Sequence, residues 1–381
     1  MRNVTIFLIV LLFIGIGFSF YLSKSGKENS TNIAPITKNN ISLNKQNPQD
    51  IERVAIVAQN LDTPWGLVFL PDNSILVTER KGDLRLIDSN GNLKETPIKT
   101  FTKAKEIGEG GLLGVDIHPD FLSNGYVYFY YTYDGNASNT KNRVVRAKYE
   151  SGNLGEEEIV VDNIPGASNH NGGRVKFGPD GYLYIGTGDA QEPSLAQNKN
   201  SLAGKILRVT DKGNAANGNP FNNQIYSYGH RNVQGLAWDT QGNFWATEHG
   251  RSAPTGYDEL NYINSGNNYG WPNIQGDETE NGMMPPVINS GPTTTWAPAG
   301  AAIFETSIYF GGLRGQALYK AAISSNKAME FEETLKGEFG RIRDVILGPD
   351  NMLYITTSNR DGRGNPENMD DKIVRVNPLK L

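Results

Sequence analysis

Hydrophobic and polar positions follow a pattern that recurs six times along the chain. Each copy has a short apolar segment, a turn that usually reads Pro-Asp-x, and a second segment rich in β-branched and aromatic residues. Such segments, bounded by turn residues, are typical of strands joined in hairpins. The copies begin at Gly66, Gly114, Val175, Leu236, Ala301 and Val345. Their spacing of about 45 to 65 residues predicts an all-β, six-bladed β-propeller with four-stranded antiparallel blades over residues 51–381.

A further amphipathic segment follows each copy, from DLRLID after the first to KIVRVN after the last. Segments with helical periodicity are nearly absent, and an irregular β-sandwich would not explain six hairpins of one type. Residues 52–57 (ERVAIV) precede the first copy and are apolar. We expect them to supply an outer strand to the last blade, because this would close the ring and leave no sheet edge open.

The N-terminal region has a different pattern. Residues 4–22 form an apolar run interrupted only by Thr5, two glycines and Ser19. This length suits either a removed signal peptide or an uncleaved membrane anchor within residues 1–22. Residues 23–50 are polar, lack periodicity and predict a flexible linker. Both alternatives place the remaining chain outside the cytoplasm, in the periplasm or at the cell surface.

Composition narrows the function classes. The 381 residues include 43 glycines and 37 aromatic residues, which the repeated turns and strands account for. Cysteine is absent, so disulfides, thiolate metal sites and a cysteine nucleophile are excluded. The net charge of −5 gives no electrostatic reason to expect a nucleic-acid partner.

The propeller geometry predicts which side chains share one face. Residues just before an inner strand and just after the second strand lie at the same end of the channel, where loops carry function. His170, in SNHNGGR, comes before an inner strand, and Asp189 follows the next one. An imidazole oriented by a carboxylate is suited to general-base catalysis. A histidine that only caps a loop is the alternative.

Four arginines occupy equivalent positions, namely Arg231, Arg314, Arg341 and Arg343. Guanidinium groups that converge would repel one another unless an anion lay between them, and they bind carboxylates and phosphates well. We therefore expect an anionic ligand. The alternative is that each pairs with a local acid such as Asp239 or Asp344.

Residues 258–272 add a candidate cation site. Asp258 and Glu259 are followed ten residues later by Tyr269-Gly270-Trp271-Pro272. A carboxylate with loop carbonyls suits a hard cation such as calcium, although the segment matches no EF-hand.

Most of these residues stand in six ordered motifs: EGGLLGVDIHPDF, NHNGGR, GHRNVQG, EHG…GYDELN, NNYGWP and RIRDV. With them, residues 55–378 resemble the soluble aldose sugar dehydrogenases that depend on pyrroloquinoline quinone (PQQ), a family that includes the soluble glucose dehydrogenases. The resemblance implies oxidation of an aldose at the anomeric carbon to a lactone, with hydride transfer to PQQ. Electrons would pass on to an external acceptor.

The resemblance also implies residue roles. His170 would be the general base, supported by Asp189, while Arg231 and Asn232 would contact the quinone and Arg231 would polarise its accepting carbonyl. The cofactor carboxylates would be held by Arg314, Arg341 and Arg343. Glu259 and the Tyr269 carbonyl would bind Ca²⁺, and a further calcium is expected beside the quinone. Gln275 is a candidate cofactor-loop residue.

Two positions depart from the family pattern. Glu109 replaces the glutamine of the best-known members, and Arg314 replaces a lysine. A carboxylate at position 109 suits an anionic cofactor only if it is protonated or directed toward a cation.

Two other functions remain open from the sequence: a calcium-dependent propeller lactonase and a non-catalytic extracellular binding propeller. The first would need acidic and amide ligands deep in the channel, and the second would not need the base and arginines. The predicted partners are an aldose and an electron acceptor. Membrane contact is expected only through the N-terminal segment, and the chain could be a monomer or a homodimer.

Overall fold

A computed structural model describes residues 51–135, 140–251 and 256–381. These residues form six antiparallel sheets around a central channel, which confirms the predicted six-bladed propeller. The predicted signal peptide or anchor (1–22) and linker (23–50) lie outside the described residues. No helix within the described ranges is long and apolar enough to cross a membrane.

The chain begins with an outer strand and then builds the first three blades. The strands are β1 Val54–Ala58; β2 Pro64–Phe69, β3 Ile75–Glu79, β4 Asp83–Ile87 and β5 Lys99–Thr100 in blade 1; β6 Leu112–Ile117, β7 Tyr126–Asp134, β8 Thr140–Glu150, β9 Asn153–Leu154 and β10 Glu158–Pro165 in blade 2; and β11 Val175–Phe177, β12 Leu183–Gly186, β13 Lys205–Val209 and β14 Ile225–Tyr228 in blade 3.

Blades 4 to 6 complete the ring. The strands are β15 Val233–Trp238, β16 Phe244–Glu248, β17 Glu259–Ile263 and β18 Ile288–Asn289 in blade 4; β19 Pro298–Phe304, β20 Ser307–Gly312, β21 Ala317–Ser324 and β22 Lys327–Thr334 in blade 5; and β23 Ile342–Leu347, β24 Leu353–Thr357 and β25 Ile373–Val376 in blade 6. A four-residue helix, α1 Phe121–Asn124, and two short 3₁₀ turns are the helical elements of the described residues.

Each of the six predicted repeat copies forms the inner hairpin of one blade, and the Pro-Asp turns show why. In the first copy the Asp72 carboxylate accepts a hydrogen bond from the Ser74 N–H (3.0 Å). In the last copy Asp350 accepts from the Met352 N–H (3.2 Å). Because this side chain satisfies backbone donors within the turn, the chain reverses tightly between two strands.

The ring closes as expected. β1 pairs antiparallel with β25, so the N-terminal segment completes blade 6 as its fourth strand. The Asn377 N–H donates to the Arg53 carbonyl (2.9 Å), and the Asn377 side chain donates to the Ile51 carbonyl (3.2 Å). The first and last described segments are therefore joined by backbone and side-chain hydrogen bonds.

Apolar side chains fill the spaces between neighbouring blades. Tyr128 and Tyr130 of blade 2, for example, pack in one buried cluster with Val175, Leu183 and Ile185 of blade 3. Side chains alternate across each strand, so both faces of a blade can contribute to such clusters.

A buried ion pair crosses the channel. Arg174 lies 2.9 Å from Asp344, and it also donates to the Gln234 carbonyl (2.8 Å). Asp344 accepts further from the Leu67 N–H (3.2 Å). These contacts join blades 1, 3, 4 and 6 below the site described next. They also show that Asp344 pairs with Arg174 and not with the four arginines identified from the sequence.

The outermost strands were less visible in the sequence. Blade 2 carries the extra strand β9, which pairs with β8, and the fourth strands of blades 1 and 4 have two residues each. Two residues are too few for an alternating pattern to be read.

Candidate active site

A cavity of about 450 Å³ opens at the end of the channel where the inner strands begin. Six residues predicted from the sequence line it: Glu109, His170, Arg231, Arg314, Arg341 and Arg343. Gln191, Gln234, His249, Arg251, Asp258 and Arg363 also line it. The cavity wall therefore combines two histidines with a high density of positive charge.

The His170 main chain has a left-handed conformation, with φ at 60°. Its N–H donates to the Glu109 carboxylate (3.0 Å), which holds this conformation. Gly172 follows, and a Cβ at that position would overlap the Gly186 carbonyl. Glycine thus allows the His170 loop to pack directly against β12.

The His170 ring lies between the carboxylate of Asp189 and the guanidinium of Arg231. Nδ1 is 2.8 Å from Asp189 Oδ1, and Nε2 is 2.9 Å from Arg231 Nη2. Because a guanidinium can only donate, Nε2 must accept, and the ring proton then lies on Nδ1, facing Asp189. The imidazole is therefore neutral in this arrangement, with its lone pair on Nε2.

Asp189 is fully buried behind His170. Besides the His170 ring, Oδ1 accepts from the Gln191 N–H (2.8 Å), and Oδ2 accepts from the Trp271 indole N–H (2.8 Å). Both oxygens are satisfied, so the carboxylate has one fixed orientation. Asp189 therefore acts through His170 and does not line the cavity.

Arg231 is held through both its main chain and its side chain. Its N–H donates to Glu248, and Nη1 donates to the His249 carbonyl (3.2 Å). Burial lowers the pKa of Arg231, while Asp189 and Glu109 oppose this shift. Neighbouring Asn232 does not line the cavity: its side-chain oxygen accepts from the Gly172 N–H (2.9 Å) behind the His170 loop.

The other three predicted arginines differ in their surroundings. Arg341 is paired with Asp361 at 2.7 Å, whereas Arg314 is exposed at the rim. Arg343 is buried, and it donates to the Gln234 side-chain oxygen (2.7 Å) while its Nε has no partner. Burial, with help from Arg341, lowers the pKa of Arg343 to about 9 against the opposing effect of Asp361.

Glu109 is directed toward a cation. Oε1 accepts from Arg363 Nη1 (2.6 Å), and the other oxygen accepts from His170 as described. Burial would raise the pKa of Glu109, but His249, Arg363 and the His170 N–H together lower it to about 2. Glu109 is therefore an ionised, paired carboxylate at neutral pH.

His249 and Asp258 complete one side of the wall. Burial lowers the pKa of His249 to about 4, and its Nε2 has no partner. Asp258 accepts from the main chain of Gly250 (2.9 Å), Trp296 (2.6 Å) and Ala297 (2.8 Å). The Asp258 carboxylate thus holds the loop before β19 in place and has a structural role.

Of the residues of the predicted cation site, Asp258 lines the cavity, whereas Glu259 and Tyr269 do not. Glu259 faces Glu248 across β17 and β16, and its carboxylate accepts from the Asn261 side chain (2.9 Å). Burial, and then the charge of Glu248, hold the pKa of Glu259 well above its usual range. The Tyr269 ring stacks on His230 at 4.7 Å, and Gln275 is half-buried, also outside the lining. Across the described ranges, no group of three or more His, Asp or Glu side chains is placed to hold a metal ion.

Sequence reasoning missed Arg363, Gln191, Gln234, Arg251 and the bond from Trp271 to Asp189. Arg363 lies in the loop that follows the second strand of blade 6, a position the propeller geometry does favour. Because Arg363 and Glu109 are 254 residues apart along the chain, no local sequence pattern indicated that they pair.

Comparison with known proteins agrees with this architecture. Residues 61–371 match the family model described as Glucose / Sorbosone dehydrogenase. The PQQ-bound aldose sugar dehydrogenase of Streptomyces coelicolor is 40% identical and superimposes with a TM-score of 0.79, covering 84% of this chain and 97% of that one.

Two curated relatives are similar in sequence. Aldose sugar dehydrogenase YliI of Escherichia coli is 32% identical over 81% of this chain and 91% of its own length. Quinoprotein glucose dehydrogenase B of Acinetobacter calcoaceticus is 32% identical over 60% of this chain and 54% of its own length. With the family model matching most of the propeller, the chain belongs to the glucose/sorbosone dehydrogenase family of quinoprotein oxidoreductases.

Proposed function

We propose that this protein oxidises aldose sugars at the anomeric carbon to lactones, with PQQ as cofactor and His170 as general base. The observation that carries the proposal is the His170 ring, which presents an unprotonated Nε2 in a cavity lined by six arginines. Bound PQQ would supply the two-electron acceptor that takes hydride from the anomeric carbon.

The chain's own groups would manage the proton. His170 Nε2 would accept it from the anomeric hydroxyl, and the Asp189 carboxylate would stabilise the imidazolium that forms. Arg231 Nη2 lies 2.9 Å from Nε2, so the anomeric hydroxyl would replace it there. The Arg231 guanidinium would then be released to donate toward the quinone carbonyl.

The cavity wall fits a tricarboxylic quinone. Arg343 Nε and His249 Nε2 are buried polar atoms without partners in the wall, and unsatisfied buried donors are rare unless a ligand or water completes them. Arg314 and Arg343 would bind cofactor carboxylates, since a guanidinium matches a carboxylate in shape and charge. Arg341 would contribute charge while staying paired with Asp361.

A calcium ion at Glu259 forms part of the proposal. Glu248 is buried and faces the half-buried Glu259 across adjacent strands, and Asn261 beside them has a buried side-chain oxygen without a partner. A hard cation prefers such oxygen ligands and would offset the repulsion between the acids. The Tyr269 carbonyl would add a further ligand.

The direct test is reconstitution. Purified protein would be mixed with PQQ and Ca²⁺, and the absorption spectrum recorded before and after adding an aldose. We expect a spectrum of bound quinone that changes when sugar is added, together with reduction of an artificial dye. Absence of both quinone binding and sugar-dependent turnover would refute the proposal.

His170→Ala separates this proposal from the two alternatives. We expect PQQ binding to survive and sugar oxidation to fall by about 10²–10⁴-fold, the usual contribution of a general base. Lactone hydrolysis in the absence of quinone would favour the calcium-dependent lactonase instead. A variant with unchanged binding and turnover would show that His170 is not the base.

The cellular setting belongs to the same proposal. The apolar N-terminal residues 4–22 suggest an extracytoplasmic enzyme, either secreted or anchored, that gives its electrons to an external acceptor. Fractionation of cells that produce the full chain would test this: activity in the cytoplasmic fraction alone would contradict it.

A further inference from the structure

Glu109 is out of place in a site for an anionic cofactor. It lines the same cavity as six arginines, next to His170, and it is 80% buried. A carboxylate facing the carboxylates of a bound quinone would repel them strongly, because such a site is poorly screened by water. Some feature of this chain must offset the Glu109 charge.

Arg363 is placed to do so. Its Nη1 donates to Glu109 Oε1 (2.6 Å), and its Nη2 donates to Asn169 Oδ1 (2.8 Å). One planar guanidinium therefore binds both Glu109 and the residue before His170. The bond to Asn169 fixes the orientation of the guanidinium, and the charge-assisted bond to Glu109 is stronger than one between neutral groups.

The Arg363 main chain is itself anchored in the arginine cluster. Its N–H donates to Asp361 Oδ1 (2.9 Å), and Asp361 Oδ2 accepts from Arg341 Nε (3.0 Å) and Nη2 (2.7 Å). Although half of the Arg363 side chain is exposed, its starting point is tied to a buried ion pair. The position of Arg363 over Glu109 follows from this connection.

We infer that Arg363 shields Glu109, so that this chain can hold an anionic quinone beside a carboxylate at position 109. Glu109 in turn supports the His170 main chain through its second oxygen, and Arg363 is a positioning residue that acts through it. The inference rests on the proposed function and concerns two residues whose charges depend on each other.

A double-mutant cycle on PQQ affinity tests the inference. PQQ would be titrated into the calcium-loaded apoprotein without sugar, for wild type, Arg363→Leu, Glu109→Gln and the double variant. We expect Arg363→Leu to weaken binding about tenfold, since an unpaired carboxylate then faces the ligand. Glu109→Gln should bind at least as well as wild type, because the amide oxygen can still accept from the His170 N–H.

The double variant distinguishes shielding of Glu109 from direct binding of PQQ by Arg363. Shielding predicts that Glu109→Gln restores the affinity lost in Arg363→Leu to within about threefold of wild type, which is a coupling that independent contacts would not show. If Arg363 instead bound PQQ directly, the double variant would stay as weak as Arg363→Leu, and the inference would be wrong. Unchanged affinity in Arg363→Leu would also overturn it.

A matched control removes an exposed, carboxylate-paired arginine elsewhere. Arg53 pairs with Glu338 at 2.5 Å and does not line the cavity. Arg53→Leu should leave PQQ affinity unchanged, and circular dichroism should show that all variants are folded. If wild type binds no PQQ, the proposed function itself fails; if it binds but the cycle shows no coupling, only the shielding inference fails.

Discussion

At the scale of single residues, the candidate base depends on a chain of hydrogen bonds that begins outside the cavity. The Trp271 indole N–H donates to Asp189, and Asp189 bonds to His170. The indole face also lies 5.4 Å from the Arg231 guanidinium. Trp271 therefore contacts both groups that flank His170 without lining the cavity itself.

The change Trp271→Phe tests this arrangement. Phenylalanine keeps an aromatic face but removes the hydrogen bond to Asp189 Oδ2, so the carboxylate that orients the His170 ring is held less firmly. We expect kcat to fall about tenfold, as for the loss of one charge-assisted hydrogen bond. KM for the aldose should change less than kcat, because Trp271 does not line the cavity.

Trp238→Phe is the matched control. Trp238 stacks on Phe244 at 4.3 Å, at the end of β15 away from the site. We expect its kcat to match that of wild type. A kcat of Trp271→Phe equal to that of wild type would show that the indole bond does not position the base.

The residues that sequence reasoning identified share one property. His170, Asp189 and the four arginines stand next to an inner or second strand, so strand prediction alone places them at one end of the channel. Trp271 and Arg363 act from the interior of long loops. Their partners lie 82 and 254 residues away, and no local pattern records such contacts.

At the scale of elements, the ring depends on the pairing of β1 with β25. Four residue pairs join these strands, and Asn377 adds hydrogen bonds to Ile51 and Arg53. The closure could be predicted because residues 52–57 are apolar and a propeller needs each sheet edge covered. The two-residue β5 and β18 could not, because they lie at outer edges where packing rather than pattern decides pairing.

A truncation measures what closure contributes. A chain beginning at Gln59, which lacks β1, would be compared with one beginning at Ile51. We expect the free energy of unfolding to fall by on the order of 4 kcal/mol, since four cross-strand pairs are lost at about 1 kcal/mol each. Denaturant unfolding would measure this, and equal midpoints for the two chains would show that β1 does not stabilise the ring.

At the scale of the whole molecule, the described chain enters and leaves the propeller at one end and carries its site at the other. β1 runs antiparallel to β25, so Ile51 and the C-terminal residue Leu381 lie at the end where the inner strands finish. The cavity with His170 opens where those strands begin. The described chain ends and the site therefore lie at opposite ends of the channel.

The proposed calcium ion should affect the stability of the whole fold through Glu259. Glu248, which faces Glu259, also bonds to His230 (2.8 Å) and to the Arg231 N–H, so this pair of acids connects blade 4 to the site. A ligand that binds only the folded state adds about 2.7 kcal/mol of stability at one hundred times its dissociation constant. We expect a chelator to lower the melting temperature of wild type and excess Ca²⁺ to restore it.

Glu259→Gln should abolish the effect of calcium on the melting temperature. Without calcium, burial and Glu248 raise the pKa of Glu259 and so oppose its ionisation, and an amide cannot ionise at all, so the variant should melt no lower than chelated wild type. With calcium it should gain nothing, because its main ligand is lost. Lys320→Gln, at an exposed ion pair in blade 5, is the control and should keep the full calcium response. A calcium-dependent rise in Glu259→Gln equal to that of wild type would place the ion elsewhere, since a single change at Glu259 cannot both lose its ligand and keep its stabilisation.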